Sequence, residues 1–465
     1  MSQEPLYFRS QVSTLTDDGK KRKWLYPSVV KGTLYRNRSI VSYFFLTLLF
    51  AAPFLKLNGE QLVLLNVLER KFVFFGVIFW PQDFYLFVLA LLTFIVFVVL
   101  FTVVFGRVFC GWVCPQTIFL EMVFRKIEHW IEGDPVKQKK LDAGPLNFEK
   151  FWKKTTKHGL FLLISFLIAN IFLSYLIGST VLIKIITEPI SLHLSGFISI
   201  CIFTMVFYLV FARMRELVCT VACPYGRLQG VLLDNQSIVV AYDYLRGEPR
   251  GKRVKNEAQS IGDCIDCKLC VQVCPTGIDI RNGTQMECVN CTACIDACDM
   301  VMEKISRPTR LIGFKSEDEI SLGKSFTLSK RIYGYAVILL LLMGTLGYLL
   351  ISRSAVETTI LRAGGTLYQL RDEDHTVSNL YNTELINKTT HPIKFEIVPD
   401  DRNAKIQFIQ KENSVNVGSS VKITFFVILP QQSIHKYKSD ISFKLISNGK
   451  EIDHFETTFI APPND

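Results

Sequence analysis

CIDCKLCVQVCPTGIDIRNGTQMECVNCTACIDAC, residues 264–298, runs through the spacing C-x2-C-x2-C-x3-C twice, and its first copy ends in Cys274-Pro275. A cubane iron–sulfur cluster takes three thiolates from one tight loop and a fourth from elsewhere, and in two-cluster ferredoxins the fourth ligand is exchanged between loops. On that logic Cys264, Cys267, Cys270 and Cys298 hold one [4Fe-4S] cluster, while Cys288, Cys291, Cys294 and Cys274 hold the other. Zinc knuckles or a disulfide knot are the competing readings. The doubled spacing, with proline after the first run, is far more specific than a lone C-x-x-C. The second run ends in Cys298-Asp299, a departure that touches loop shape and not ligation. Two clusters this close make a wire rather than an active site.

The chain around this block is of another kind. Of 465 residues 49% are hydrophobic, with a mean hydropathy of +0.28, yet Lys and Arg number 52. The mixture predicts membrane helices joined to water-exposed domains. Apolar stretches run from about Ile40 to Leu55, Phe84 to Phe105, Gly159 to Ile177, Leu194 to Ala212 and Ile332 to Ile351. Most reach the roughly twenty residues of a bilayer crossing, which predicts about five spans. The first is shorter and contains Pro53, and KFVFFGVIFWPQD, residues 71–83, reads as a re-entrant or interfacial piece.

Connecting segments carry 3 Lys and Arg in 56–83 and 1 in 179–191, against 10 in 107–157 and 17 in 213–331. The alternation follows the positive-inside rule and predicts a cytoplasmic N-terminus and an outer C-terminal segment. Lys20, Lys21, Arg22, Lys23, Lys31, Arg36 and Arg38 precede any apolar core, which reads as a cytosolic tail and not a signal peptide. All thirteen cysteines lie at or before Cys298, in segments assigned to the reducing side or the membrane. The net charge of +10 is spread over membrane-flanking loops and not gathered on one soluble module, which argues against nucleic acid. The loop YDYLRGEPRGKRVK, Tyr242 to Lys255, reads either as a dock for an acidic donor or anionic lipid, or as solvated charge that retains the loop.

After Ile351 apolar and polar residues alternate, as in SSVKITFFVILP and DISFKLISNGKEIDHFETTFIAPP, with Asn-Gly, Pro and Ser between the runs. About seven such pieces predict a β-sandwich of immunoglobulin type. The domain plan is therefore a tail over 1–39, a four-span region over 40–212, a cluster-bearing segment over 213–331, a fifth helix over 332–351 and a β-domain over 352–465.

FCGWVCPQT, Phe109 to Thr117, follows the second span, and ELVCTVACP, Glu216 to Pro224, follows the fourth. The repeat unit is two spans and C-x3-C-P. Cysteines four apart share one helical face, and proline suits the first position of a new helix, which places Cys114 and Cys223 at N-caps. There the helix dipole favours thiolate, the form that binds metal or reacts. Soft thiolates select Cu(I), zinc or iron–sulfur centres. The alternative is that Cys110, Cys114, Cys219 and Cys223 only pack where helices end. Cys201, Met122, Met205 and Met214 read as packing, and His158 and His193 as interfacial.

These motifs, with AYDYLRGEPRGKR and the β-domain, resemble the cytochrome c oxidase accessory family CcoG, also called FixG or RdxA, over nearly the whole chain. Its membrane arrangement is similar to that of the polyferredoxins NapH and NosR. The resemblance implies an α-helical membrane protein with an inserted 2[4Fe-4S] ferredoxin-like domain and a C-terminal immunoglobulin-like sandwich in the cytoplasmic membrane, the β-domain periplasmic. It implies a cupric reductase serving assembly of cbb3-type oxidase. In that role the eight cysteines are cluster ligands and Cys110, Cys114, Cys219 and Cys223 handle copper or relay electrons. The implied partners are membrane lipid, copper ions, a cytoplasmic electron donor, copper chaperones or oxidase subunits, and a second copy as homodimer. A quinol-linked electron-transfer subunit and a non-redox copper scaffold remain as alternatives.

Overall fold

The computed structural model describes residues 22, 24–57, 59–68, 71–80, 83–251, 261–323, 327–365, 367–371, 375–389, 391–409, 412–434, 436–447 and 449–462. Contacts divide the chain into two units. One comprises the described residues of 1–55, 64–68 and 87–345, and the other those of 56–63, 69–86 and 346–465. Lys20, Lys21 and Lys23 of the basic tail, and Lys252, Arg253 and Lys255 of the basic loop, lie outside the described residues.

In the first unit apolar composition sets the long helices. Among the described residues four are long and apolar enough to cross a membrane: Phe84–Phe105, Phe148–Ile177, Leu194–Met214 and Lys330–Ile351. Three extend beyond their apolar runs through polar ends. The first expected crossing, Ile40 to Leu55, lies largely in a helix that starts earlier, Thr33–Ala51, and so includes Arg36 and Arg38. Gly32 offers this helix no side-chain cap. The Asp296 carboxylate supplies one, accepting from Leu34 N at 3.2 Å and Tyr35 N at 2.7 Å, where free N–H groups and the helix dipole favour an anion. Since Asp296 stands between Cys294 and Cys298, this cap fastens the helix to the cysteine block.

The second unit is built on period-two patterning. Residues 71–79, within the stretch read as a re-entrant or interfacial piece, form a hairpin: Lys71–Phe74 pairs with Val77–Phe79. Phe75 and Gly76 turn the chain with φ of 50° and 79°, the two-residue turn that matches strand twist. Its register brings Val73 opposite Ile78, both buried. At the chain's re-entry the buried Asp83 meets Lys388 Nζ at 2.7 Å and also pairs with Arg353.

The C-terminal part is a sandwich of antiparallel strands. One sheet runs Lys405–Phe408, Ser420–Pro430, Thr376–Asn387, Val356–Arg362, with Gln369–Arg371 also on Thr376–Asn387; the other runs Glu396–Pro399, Lys438–Ser447, Lys450–Ile460. Alternation decides which side chains face inward: Ile423, Phe425, Val427 and Leu429 are buried and the residues between them are not. Phe425 meets Phe443 of the other sheet edge-on at 5.9 Å, and Tyr381 OH donates across to the Thr458 carbonyl at 2.9 Å.

Candidate metal centres

Both copies of the eight-cysteine spacing fold into the same loop. Asp266 and Lys268 flank Cys267, and Asn290 and Thr292 flank Cys291, with φ of 53°, 56°, 50° and 66°. Left-handed residues at matching positions are costly for non-glycine side chains and turn backbone N–H groups inward, forming a nest for an anion. A helix follows each loop, Leu269–Gln272 and Ala293–Lys304. The strand pair Val239–Tyr242 and Ile312–Lys315 closes the block.

The cysteines partition in the crossed pattern that the spacing implies. Cys264, Cys267, Cys270 and Cys298 line one cavity with Tyr242 and Met302. Cys274, Cys288, Cys291 and Cys294 line a second, and Cys270 forms part of its wall too. Each copy thus lends its last cysteine to the other, and the cavities adjoin. Burial pushes Cys270, Cys288 and Cys298 up to about 12 and Cys291 up to about 11, with cysteines of the same set adding to the rise. Four such thiolates are stable together only around cations. Four thiols lining each pocket match the four thiolates that a [4Fe-4S] cluster takes.

The two membrane-edge motifs also follow one course. After Phe84–Phe105, the short helix Val108–Trp112 carries Cys110, and Pro115 opens the next helix with Cys114 as its N-cap. After Leu194–Met214, the π-helical turn Val218–Ala222 carries Cys219, and Pro224 opens Pro224–Leu232 with Cys223 as its N-cap. The N-cap expectation matches, but the shared helical face does not. The chain breaks before each proline, because the residue preceding proline is driven out of the helical region. The four sulfurs nevertheless gather: Cys110 lies within electrostatic reach of Cys114 and Cys223, and Cys219 within reach of all three. Burial pushes Cys110 up to about 11 and Cys219 up to about 12.

This set touches the cysteine block directly. A Cβ at Gly111 would lie 2.3 Å from the Val289 carbonyl oxygen and 3.0 Å from Cys291 Cα, so glycine alone permits the approach. Arg38 Nε donates to the Gly111 carbonyl at 2.7 Å. Arg107 donates to the carbonyls of Met286 and Gly226, tying the cysteine block to both motifs. Arg125 reaches Pro275 O at 3.1 Å, and Arg215, at φ 53°, donates to both Glu128 oxygens at 3.0 and 2.6 Å. Sequence reasoning does not single out Gly111, Arg107, Arg215 or Gln229. A signal was present: an arginine stands three or four residues before the first cysteine of each motif.

Other candidates stay outside these sets. His193 pairs with Glu188 at 2.6 Å, Cys201 is exposed in mid-helix, Met205 and Met214 are exposed, and Met122 is buried 3.7 Å from Ser39 Oγ. In the basic loop Arg246 is bound to Asp263 at 2.7 Å and to the Thr309 carbonyl at 2.9 Å, a structural tie and not a free charge.

Apolar helices, crossed cysteine cavities and a β-sandwich define a membrane-bound iron–sulfur electron-transfer protein. Family comparisons agree. Residues 214–317 match the "4Fe-4S dicluster domain" family, residues 87–133 and 192–235 the "4Fe-4S binding domain" family, and residues 346–462 the "IG-like fold at C-terminal of FixG". The nitrogen fixation protein FixG of Rhizobium meliloti is 35% identical over 323 residues, 67% of this chain and 60% of that protein. Protein RdxB of Cereibacter sphaeroides is 34% identical over 403 residues, 81% of this chain and 82% of RdxB. A crystal structure of a FixG-related protein from Vibrio parahaemolyticus, 19% identical, aligns with 23% of this chain and 97% of its own at a TM-score of 0.20. The chain belongs to the FixG/RdxA family.

Proposed function

We propose that this protein is a membrane cupric reductase, converting Cu(II) to Cu(I) for the copper supply of cbb3-type cytochrome c oxidase. The observation that carries the reading is the packing of Gly111 on Val289–Cys291, which puts the membrane-edge thiols against the cysteine block. Cys264, Cys267, Cys270 and Cys298 hold one cluster, and Cys274, Cys288, Cys291 and Cys294 the other. Bound there, the clusters supply one-electron carriers. Cys110, Cys114, Cys219 and Cys223 form the station at which an electron leaves for copper, one electron per Cu(II). Cu(II) prefers nitrogen and oxygen ligands whereas Cu(I) accepts thiolate and thioether, so reduction itself changes which groups hold the ion and promotes transfer to a soft-ligand recipient.

The charge bias of the loops supports a cytoplasmic N-terminus and cysteine block and a periplasmic C-terminal domain. The donor is then cytoplasmic, and copper chaperones or oxidase subunits receive the product. The test is anaerobic reduction followed by Cu(II) addition to the full chain in detergent. Recovery of the oxidised cluster spectrum, with one Cu(I) formed per electron, supports the reading. Clusters that stay reduced overturn it.

A second reading, quinol oxidation, has an observation of its own. An open pocket is lined by Trp24, His158, Phe161, Tyr208 and Arg213 together with Glu128, Asp142, Lys154 and Lys157. Tyr208 OH and His158 Nδ1 lie 3.0 Å apart, a hydroxyl–imidazole pair that suits a quinol headgroup. Reoxidation by a soluble quinone analogue but not by copper selects this reading.

A further inference from the structure

We infer that Arg38 and Arg107 are the built-in counter-charge of the cluster held by Cys274, Cys288, Cys291 and Cys294, and that they make this inner cluster the electron acceptor of the two in the cysteine block. The inference deepens the electron-transfer reading and rests on it. Arg38, Arg107, Arg125 and Arg215 are the buried arginines among the described residues. Arg125 is paired with Glu121 and Glu216, and Arg215 with Glu128 and Glu216. Arg38 and Arg107 pair with no carboxylate among the described residues and donate to backbone carbonyls instead. A buried charge is costly unless an opposite one lies beside it, so these two call for an anion that the side chains do not supply.

Both arginines stand against the same four thiols. Arg38 Nε donates to the Gly111 carbonyl at 2.7 Å, and a Cβ on Gly111 would lie 3.0 Å from Cys291 Cα. Arg107 donates to the carbonyl of Met286, two residues before Cys288. Arg38 is within electrostatic reach of Cys291, and Arg107 of Cys288. Two carboxylates share this neighbourhood. Glu121 is taken by Arg125, and burial pushes the Glu287 carboxyl up, which weakens it as a counter-ion. The outer set, Cys264, Cys267, Cys270 and Cys298, is surrounded differently. Its Cys267 is exposed, and Arg281 on its cavity wall meets both Asp279 and Asp266, so that charge is spent. Burial alone would make the inner set the harder to reduce, because a low dielectric disfavours added negative charge. Two uncompensated guanidiniums act in that same low dielectric, where their attraction is strongest. Exchange between the sets moves one electron, no proton and no bond, so the charge around each set decides its direction. Electrons therefore run from the exposed set to the set against Gly111, toward the membrane-edge motifs.

The test is a redox titration followed by EPR, on the full-length protein purified in detergent without oxygen. Cys267→Ser and Cys291→Ser mark the outer and inner signals, each by altering or removing its own. The inner midpoint of the wild type is expected to be the higher. Arg38→Met and Arg107→Met are each expected to lower it while the outer midpoint stays in place. The electron's partition then shifts about tenfold toward the outer set, or about 59 mV. Arg107→Lys keeps the charge and restores the midpoint. An outer midpoint above the inner one overturns the inference, as do midpoints that move together or not at all in the methionine variants. The order of the midpoints is read in the wild type against the two marks, so it stands as a test even where an arginine variant does not fold. Cu(II) is then added to the wild type. Copper reduction beside an overturning result sinks this inference alone, whereas the expected midpoints without copper reduction sink the cupric reading and leave the role of the arginines.

Discussion

Gly111 is where one atom decides whether two sites touch. Alanine there would press its Cβ against the Val289 carbonyl, part of a loop pinned by Cys291 and by Asn290 in a left-handed conformation. Gly111→Ala is expected to cost about 1–3 kcal/mol of overpacking strain and to slow electron transfer out of the cysteine block, read as a lower thermal midpoint and slower reoxidation. Arg215 poses the opposite problem, a buried charge at φ 53° held by two bonds to Glu128. Arg215→Leu leaves that buried carboxylate only the longer pair with Lys157 at 3.6 Å and is expected to cost about 3 kcal/mol, checked by thermal unfolding followed through cluster absorbance. The cysteine pairing was legible in the sequence because ligation fixes residue type and spacing together. The partners of Gly111, Arg107 and Gln229 were not, because each contact joins segments more than a hundred residues apart and no local pattern encodes it.

Among the elements, the long apolar helices and the sandwich strands were readable from period and composition. The 71–79 hairpin was not: its apolar run hides the Phe75-Gly76 turn, which only positive φ angles reveal. The short Thr33–Ala51 helix was likewise misplaced at its start, since its cap comes from Asp296, far along the chain. Phe425 is fully buried between the sheets. Phe425→Ala is expected to destabilise the C-terminal domain by about 3–5 kcal/mol while leaving cluster absorbance intact, measured by scanning calorimetry beside visible spectra. Burial works to raise the Asp83 carboxyl, but hydrogen bonds from Lys388 and Arg353 outweigh it and hold it below the usual carboxylate range. Its contribution is therefore present above the unfolded carboxylate pKa, about 3.9, and is lost as pH falls through the depressed folded value. Asp83→Asn is expected to lower the calorimetric midpoint at neutral pH and to flatten its acid dependence; an unchanged acid limb would contradict the assignment.

For the whole molecule, the sum of parts is a route for electrons beside a lipid bilayer. Loop charge predicts which side each end occupies, and protease added to intact spheroplasts should trim the C-terminal domain and spare the cysteine block. The reverse pattern would invert the topology. The route itself is tested most directly by mixing the reduced chain with Cu(II) under argon and following cluster absorbance and Cu(I) together. The wild type should reoxidise with one Cu(I) per electron, while Cys110→Ser/Cys219→Ser, its two crossed clusters still present by EPR, should stay reduced. Equal reoxidation of both proteins, or of neither, would contradict the account.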